Sequence, residues 1–181
     1  MSLDQLAARE HWCVAEIARI RAINPYLVMP QDRTAAYDPV IEGWREIHAA
    51  YLQIAGTPGV DAGEALKRAL FIQWYEVAEP FFLTGILDLD KTSRTRVLGH
   101  AEKLLTDHGD VELSEMVAWY GAIADRAFEP SSTGPLLRQY CARGADLLWL
   151  TSDAQRRTYP ARGLMGEYFL SLNRPASQQR G

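Results

Sequence analysis

The chain has 181 residues, 48% hydrophobic and 23% charged, a length and composition that suit one globular domain with a core of its own. That apolar content excludes a disordered chain, and a formal net charge of −4 argues against a general nucleic-acid binder, whose phosphate contacts need a basic surface. Two cysteines, Cys13 and Cys141, are too few for a disulfide framework, no secretory leader pattern opens the chain, and no apolar run approaches a membrane span; together these predict a cytoplasmic protein with no membrane partner.

Ala and Leu are abundant while Val, Ile and Thr are sparse, the ranking that helices prefer. Arg supplies 16 of the 19 basic residues, a bias that with the Ala content points to a bacterial coding sequence. Apolar residues recur with a period near 3.6 almost throughout, and no segment alternates as a strand does. The first predicted helix runs from about Leu3 to Ala22 with Leu6, Cys13, Val14, Ile17 and Ile20 on one stripe. A proline-bounded apolar connector, Asn24 to Pro30, follows and has the composition of a lid or of a cover for one end of a bundle.

Asp38-Pro39 reads as the N-cap and first turn of a second helix that ends near Gly56 and carries Val40, Ile41, Trp44, Ile47, Tyr51 and Leu52 inward. A third opens at Asp61 or Gly63 and is ended by Pro80, whose ring removes a backbone donor. Asp90 caps a fourth, stopped by His108-Gly109, and a fifth spans Val111 to Phe128. After the break at Pro130 to Pro135, a sixth carries Leu137, Tyr140, Cys141 and Leu148, and a last one carries Leu164, Met165, Tyr168, Phe169 and Leu172. The expectation is an all-α fold, a compact bundle of about seven helices forming one domain over residues 1–172, with 173–181 a polar tail.

The third helix is apolar on every side, which marks the central helix of a bundle. Glu76 and Glu79 nevertheless project onto its Ile72–Leu83 side, so each carboxylate must be paired, protonated or turned to a cavity. Arg68, Arg126, Arg138 and Arg143 are the arginines expected to pair with them. His48 projects inside the apolar stripe of its helix, either as a satisfied core residue or as a site residue that titrates near neutrality. Glu10 lies among Leu6, Cys13, Val14 and Ile17, while Trp12 points the opposite way; Trp119 sits at its stripe's edge beside Glu115 and Arg126.

Other features carry less. Arg94, Arg96, Arg156, Arg157 and Arg162 read as a solvated face, and the cysteines as buried inert thiols. Trp74-Tyr75 and Trp119-Tyr120 lie 45 residues apart, a spacing within the range of helical repeats that also arises by coincidence. No phosphate loop, dinucleotide fingerprint, nucleophile elbow or metal-ligand spacing is present, so neither a cofactor nor a metal is expected. Two functional classes stand. One is a non-enzymatic interaction or regulatory factor, of inhibitor or immunity type, with Trp12, Trp119 and Arg126 as contacts to a protein partner or a second copy. The other is a small-molecule-binding protein or enzyme with His48, Glu76, Glu79 and Glu10 lining a polar site inside the bundle.

Overall fold

The structure is a computed structural model that describes residues 1–23, 35–128 and 132–172. The Tyr26–Pro30 connector and the polar tail lie outside the described residues. Among the described residues the chain is helix and turn with no strand, as the apolar period predicts. Seven helices have nine or more residues: α1 (Leu3–Ile23), α2 (Asp38–Ala55), α3 (Ala62–Ala78), α5 (Lys91–His108), α6 (Val111–Ala124), α7 (Pro135–Arg143) and α10 (Gly163–Ser171). Three single turns intervene, α4 (Phe81–Thr84), α8 (Leu147–Leu150) and α9 (Asp153–Arg156). No helix among these is long and apolar enough to cross a membrane.

Local chemistry sets most of the boundaries. Asp90 and Asp110 cap α5 and α6, accepting from Ser93 N at 2.6 Å and Leu113 N at 2.8 Å. Pro80 ends α3 as expected, and the chain resumes in the α4 turn. Three boundaries differ from the sequence reading, one of them the fifth helix, which ends at Ala124 and passes into a 3-10 turn over Asp125–Ala127. Asp38 is the first residue inside α2 rather than its cap, because a 3-10 turn over Ala35–Tyr37 leads directly into the helix. The predicted sixth helix stops at Arg143, where Gly144 turns to φ +80°, and its apolar pattern resumes in the separate turn α8.

α3 occupies the middle, touching α2, α5, α6, α10 and the 3-10 turn at Asp125–Ala127. Every residue from Ala65 to Trp74 is buried, which is why this helix shows no polar face. Its Trp74 ring stacks on Tyr120 of α6 at 4.5 Å, and its indole N–H donates to the Tyr120 carbonyl at 3.1 Å. Thus the two Trp-Tyr pairs seen in the sequence meet across the α3–α6 crossing. Burial of such aromatic pairs contributes on the order of 1 kcal/mol beyond area alone.

Charge runs through the core as well. Glu10 of α1 is 1% exposed, at the phase its sequence position predicts, and its Oε1 accepts from the Tyr51 hydroxyl at 2.9 Å. Its Oε2 accepts from the Leu164 N–H at 2.8 Å, so the first helix supplies the N-terminal acceptor of the last. Behind Tyr51 lies Arg68, which donates to Glu64 Oε1 at 2.7 Å and to the Ala161 carbonyl at 2.9 Å. Arg162 grips both Glu64 oxygens, at 2.9 and 2.6 Å, and also meets Glu112; Lys67 then joins Glu112 and Asp110 at 2.7 and 2.9 Å. Arg162 is therefore buried at 6% exposure instead of lying on a solvated face.

Gly163 permits the Glu10 contact. Its φ of +57° suits glycine, and a Cβ there would collide with Glu10 Oε2. Gly109 has a nearly equal φ of +59° but open space around its missing side chain. Gly109→Ala is expected to cost the left-handed penalty alone, about 1–2 kcal/mol, and Gly163→Ala to cost at least about 2 kcal/mol more by displacing a buried carboxylate. Urea denaturation of both variants measures the difference, and equal losses would show that the Glu10 contact carries no weight.

Candidate functional site

Glu76 and Glu79 do not act as a pair. Glu76 leaves α3 toward α5, where its Oε1 accepts from the Leu89 N–H at 3.0 Å. Its Oε2 lies 3.1 Å from Arg94 Nη1, but not in hydrogen-bonding geometry. Burial raises the Glu76 carboxyl pKa above the ordinary value, with the Leu89 N–H and Arg94 pulling against it. Glu79 falls beyond the last helical residue, and its extended backbone (φ −119°, ψ 143°) carries it off the helical projection. Its charge faces Tyr75 and Tyr168, adding to the burial that raises both phenols.

The arginine that meets Glu76 is thus Arg94, which the sequence reading placed on a solvated face, and none of the four expected there. Arg68 serves Glu64, Arg143 serves Glu115, Arg126 donates to the Val77 carbonyl at 3.1 Å, and Arg138 donates to the Thr133 carbonyl at 2.5 Å. Glu10 belongs instead to the core network, with Tyr51 and Leu164 as its partners.

His48 on α2 is 1% exposed, and its Nε2 has no hydrogen-bond partner. Burial, reinforced by Arg94, pushes the imidazole down to about 4, while Asp90 pulls the other way. The ring is therefore neutral at pH 7 and sits within electrostatic reach of the first turn of α5. Gln73, one turn before Glu76 on α3, is also 1% exposed, and its Oε1 is likewise without a partner. Sequence reasoning passed over Gln73, although a lone carboxamide in the run Ala65 to Trp74 was a visible signal.

Five buried side-chain polar atoms lack hydrogen bonds among the described residues: Tyr37 Oη, His48 Nε2, Gln73 Oε1, Glu76 Oε2 and Tyr120 Oη. Three of the five belong to residues grouped around the start of α5. Leaving a buried polar atom unpaired costs about 1–3 kcal/mol, so such a concentration needs a reason. Beside it lies a cavity of about 140 Å³, walled by Gln73, Lys91, Arg94, Thr95, Leu98, Ala127 and Ser132. The cavity therefore sits between α3, α5 and the 3-10 turn that follows α6, and neither His48 nor Glu76 is among its described lining residues.

The remaining predicted residues are dispersed. Trp119 is half-buried and its indole donates to the Tyr168 hydroxyl at 3.0 Å, so it covers the aromatic core rather than facing outward. Trp12 is 49% exposed and lies near Gly43 of α2. Arg126 is exposed and borders a wider hollow of about 670 Å³ with Gly121, Phe128, Arg138 and Cys141. Burial pushes the Cys13 and Cys141 thiols up to about 12, which leaves both protonated at neutral pH and poor nucleophiles. No cluster of three or more metal-ligating side chains occurs among the described residues.

No protein-family model, curated protein or solved structure matches the chain.

The depressed imidazole makes a stability prediction with a definite sign. An unfolded histidine titrates near 6.5, so between about pH 6.5 and 4 the unfolded chain holds a proton that the folded one refuses. His48 therefore costs no stability of this kind above that window and progressively more as pH falls through it. The stability of the native chain relative to His48→Leu is expected to drop by about 3 kcal/mol from pH 7 to pH 4. Urea titrations at both pH values test this, and a difference that does not change with pH would mean His48 is solvated or paired.

Proposed function

We propose that this chain is a small-molecule-binding protein whose ligand occupies the cavity between α3 and α5. One observation supports the reading: Gln73, 1% exposed and with its Oε1 unpartnered, walls the cavity together with Arg94, and two further buried atoms without hydrogen bonds, His48 Nε2 and Glu76 Oε2, lie within electrostatic reach of that arginine. A fully packed core gains nothing from a carboxamide oxygen held without a partner in a residue 1% exposed. A ligand or ordered water that pairs with it removes the penalty. The site differs from the one expected on the sequence, since Glu10 and Glu79 leave it and Gln73 and Arg94 enter it.

Gln73→Met separates a ligand-binding role from a structural one. Methionine has similar volume and flexibility and no strong polar atom. Under this reading the variant gains about 1 kcal/mol of stability without ligand, because an unpaired group disappears, and loses ligand. Native mass spectrometry of the freshly purified full-length chain is expected to show a bound species on the wild type that Gln73→Met lacks. A bare wild-type mass together with a destabilised variant would sink the proposal.

A second reading, an interaction or regulatory factor that meets a protein partner or a second copy, is favoured by Trp12. An indole 49% exposed on the outer side of α1 is a common composition for an interface anchor. Trp12→Ala is expected to change folding stability by less than about 1 kcal/mol while reducing self-association in sedimentation velocity. Identical sedimentation of the two proteins would count against Trp12 as a contact between copies.

A further inference from the structure

The C-terminal end of α3 carries an acid without a cation. Pro80 holds the residue before it in extended backbone, so Glu79 leaves the helix at φ −119° and ψ 143° while its N–H still donates to the Tyr75 carbonyl at 3.0 Å. Glu79 is half-buried, and its carboxylate makes no hydrogen bond or ion pair with any described residue. Arg126 reaches the same end of α3, but its guanidinium donates to the Val77 carbonyl at 3.1 Å. A carboxylate drawn partly out of water with no counter-charge gains from a cation that comes beside it.

Two tyrosines supply the second, independent feature. Tyr75 and Tyr168 meet with ring centroids 5.9 Å apart and planes at 67°, so they make a corner and not a stack. Phe71 stacks on Tyr75 at 4.9 Å, and Trp74 packs edge-on to Tyr168 at 5.2 Å. Phe71 and Trp74 are buried, whereas Tyr75 and Tyr168 are half-buried, so the corner is the rim of the aromatic core where solvent reaches it. The Trp119 indole, half-buried at the same rim, donates to the Tyr168 hydroxyl at 3.0 Å and fixes the direction of that ring. Burial raises both phenols and the Glu79 charge adds to the shift, so both rings are neutral at pH 7 with the carboxylate in electrostatic reach of each. The faces of such rings carry negative partial charge.

We propose that this corner binds an organic cation, an alkylammonium ion seated against Tyr75 and Tyr168 with the Glu79 carboxylate as its counter-charge. Aromatic faces attract such an ion through their quadrupoles and the acid attracts it through its charge. A quaternary ion sets its methyl groups against the rings, and a primary ion adds hydrogen bonds to the carboxylate. A metal ion is a poor fit, since one carboxylate and two neutral phenols are not a ligand set, and no group of three metal-ligating side chains occurs among the described residues. The site is separate from the α3–α5 cavity, because Tyr75, Glu79 and Tyr168 are not among its described lining residues. It therefore goes beyond the ligand-binding reading above and does not depend on it. With the carboxylate partly in water, affinity falls as ionic strength rises.

Isothermal titration of the full-length chain at pH 7 and low salt tests this, with choline chloride and methylammonium chloride as the two probes. The neutral isostere of choline, with carbon in place of nitrogen, and sodium chloride at matched ionic strength are the controls. One saturable site for at least one probe is expected, weakened about tenfold in Glu79→Gln and in Tyr75→Leu and unchanged in Gln73→Met. Glu79→Gln is expected to melt like the wild type, because it removes no bond, so its lost binding does not report lost folding. Saturation by choline alone supports the proposal and identifies a quaternary ion; saturation by methylammonium alone supports it and identifies a primary one. Heats equal to those of sodium chloride for both probes, an isostere that binds as tightly as choline, or a Glu79→Gln variant that titrates like the wild type overturns it. Binding lost in Gln73→Met and kept in Glu79→Gln would place the cation in the α3–α5 cavity, which overturns this site while the ligand-binding reading stands.

Discussion

The Glu10 carboxylate joins the beginning of the fold to its end, and the packing of the last helix depends on it. One oxygen takes the Tyr51 hydroxyl and the other takes the Leu164 N–H, 154 residues away in the chain. Burial raises the pKa of this carboxyl, while those two donors and the charge of Arg68 oppose the shift. A buried charge of this kind adds little net stability compared with a well-packed apolar substitute, yet stripping away one partner is expensive. Its role is specification. Only a chain that places Gly163 beside Glu10, and Arg68 behind Tyr51, can close the bundle with this charge satisfied.

From Glu10 the same logic extends outward through Arg68, Glu64, Arg162, Glu112, Lys67 and Asp110, four acids and three bases in alternation. Alternation means that each ion is flanked by opposite charge. For Glu112, burial alone would raise the carboxyl, but Arg162 and Lys67 outweigh it and hold the group below its ordinary value. This network ties α1, α2, α3, α6 and α10 together with well-formed bonds. It is the polar part of the molecule that looks finished.

The region around the start of α5 contrasts with it. There His48 Nε2, Gln73 Oε1 and Glu76 Oε2 are buried without hydrogen bonds, and Gln73 borders a small cavity. A single chain thus holds one polar network that is satisfied throughout and one polar cluster that is not. The first offsets its desolvation with opposite charges and hydrogen bonds, while the second leaves His48 Nε2 and Gln73 Oε1 without any, at about 1–3 kcal/mol each by the usual magnitude. That difference, rather than any motif, is why a binding site is proposed at the second cluster.

Much of the architecture was legible because it rests on local chemistry. The 3.6 period, the Asp90 and Asp110 caps and the Pro80 stop act within one or two turns, so residue order alone fixes the class and nearly every helix end. The inward phases of Glu10 and His48 were legible for the same reason, since phase is a property of one helix. Partners are a property of two. Nothing in the order of residues says that Arg94 instead of Arg68 meets Glu76, that Arg162 leaves the surface to lie between Glu64 and Glu112, or that Glu79 is carried off its face by a helix ending one residue earlier. Sequence by itself determined an all-helical chain with carboxylates facing inward. Only the tertiary packing decided which of them found a partner, because ion pairs and cavities form between helices whose separation along the chain has no bearing on their distance in space.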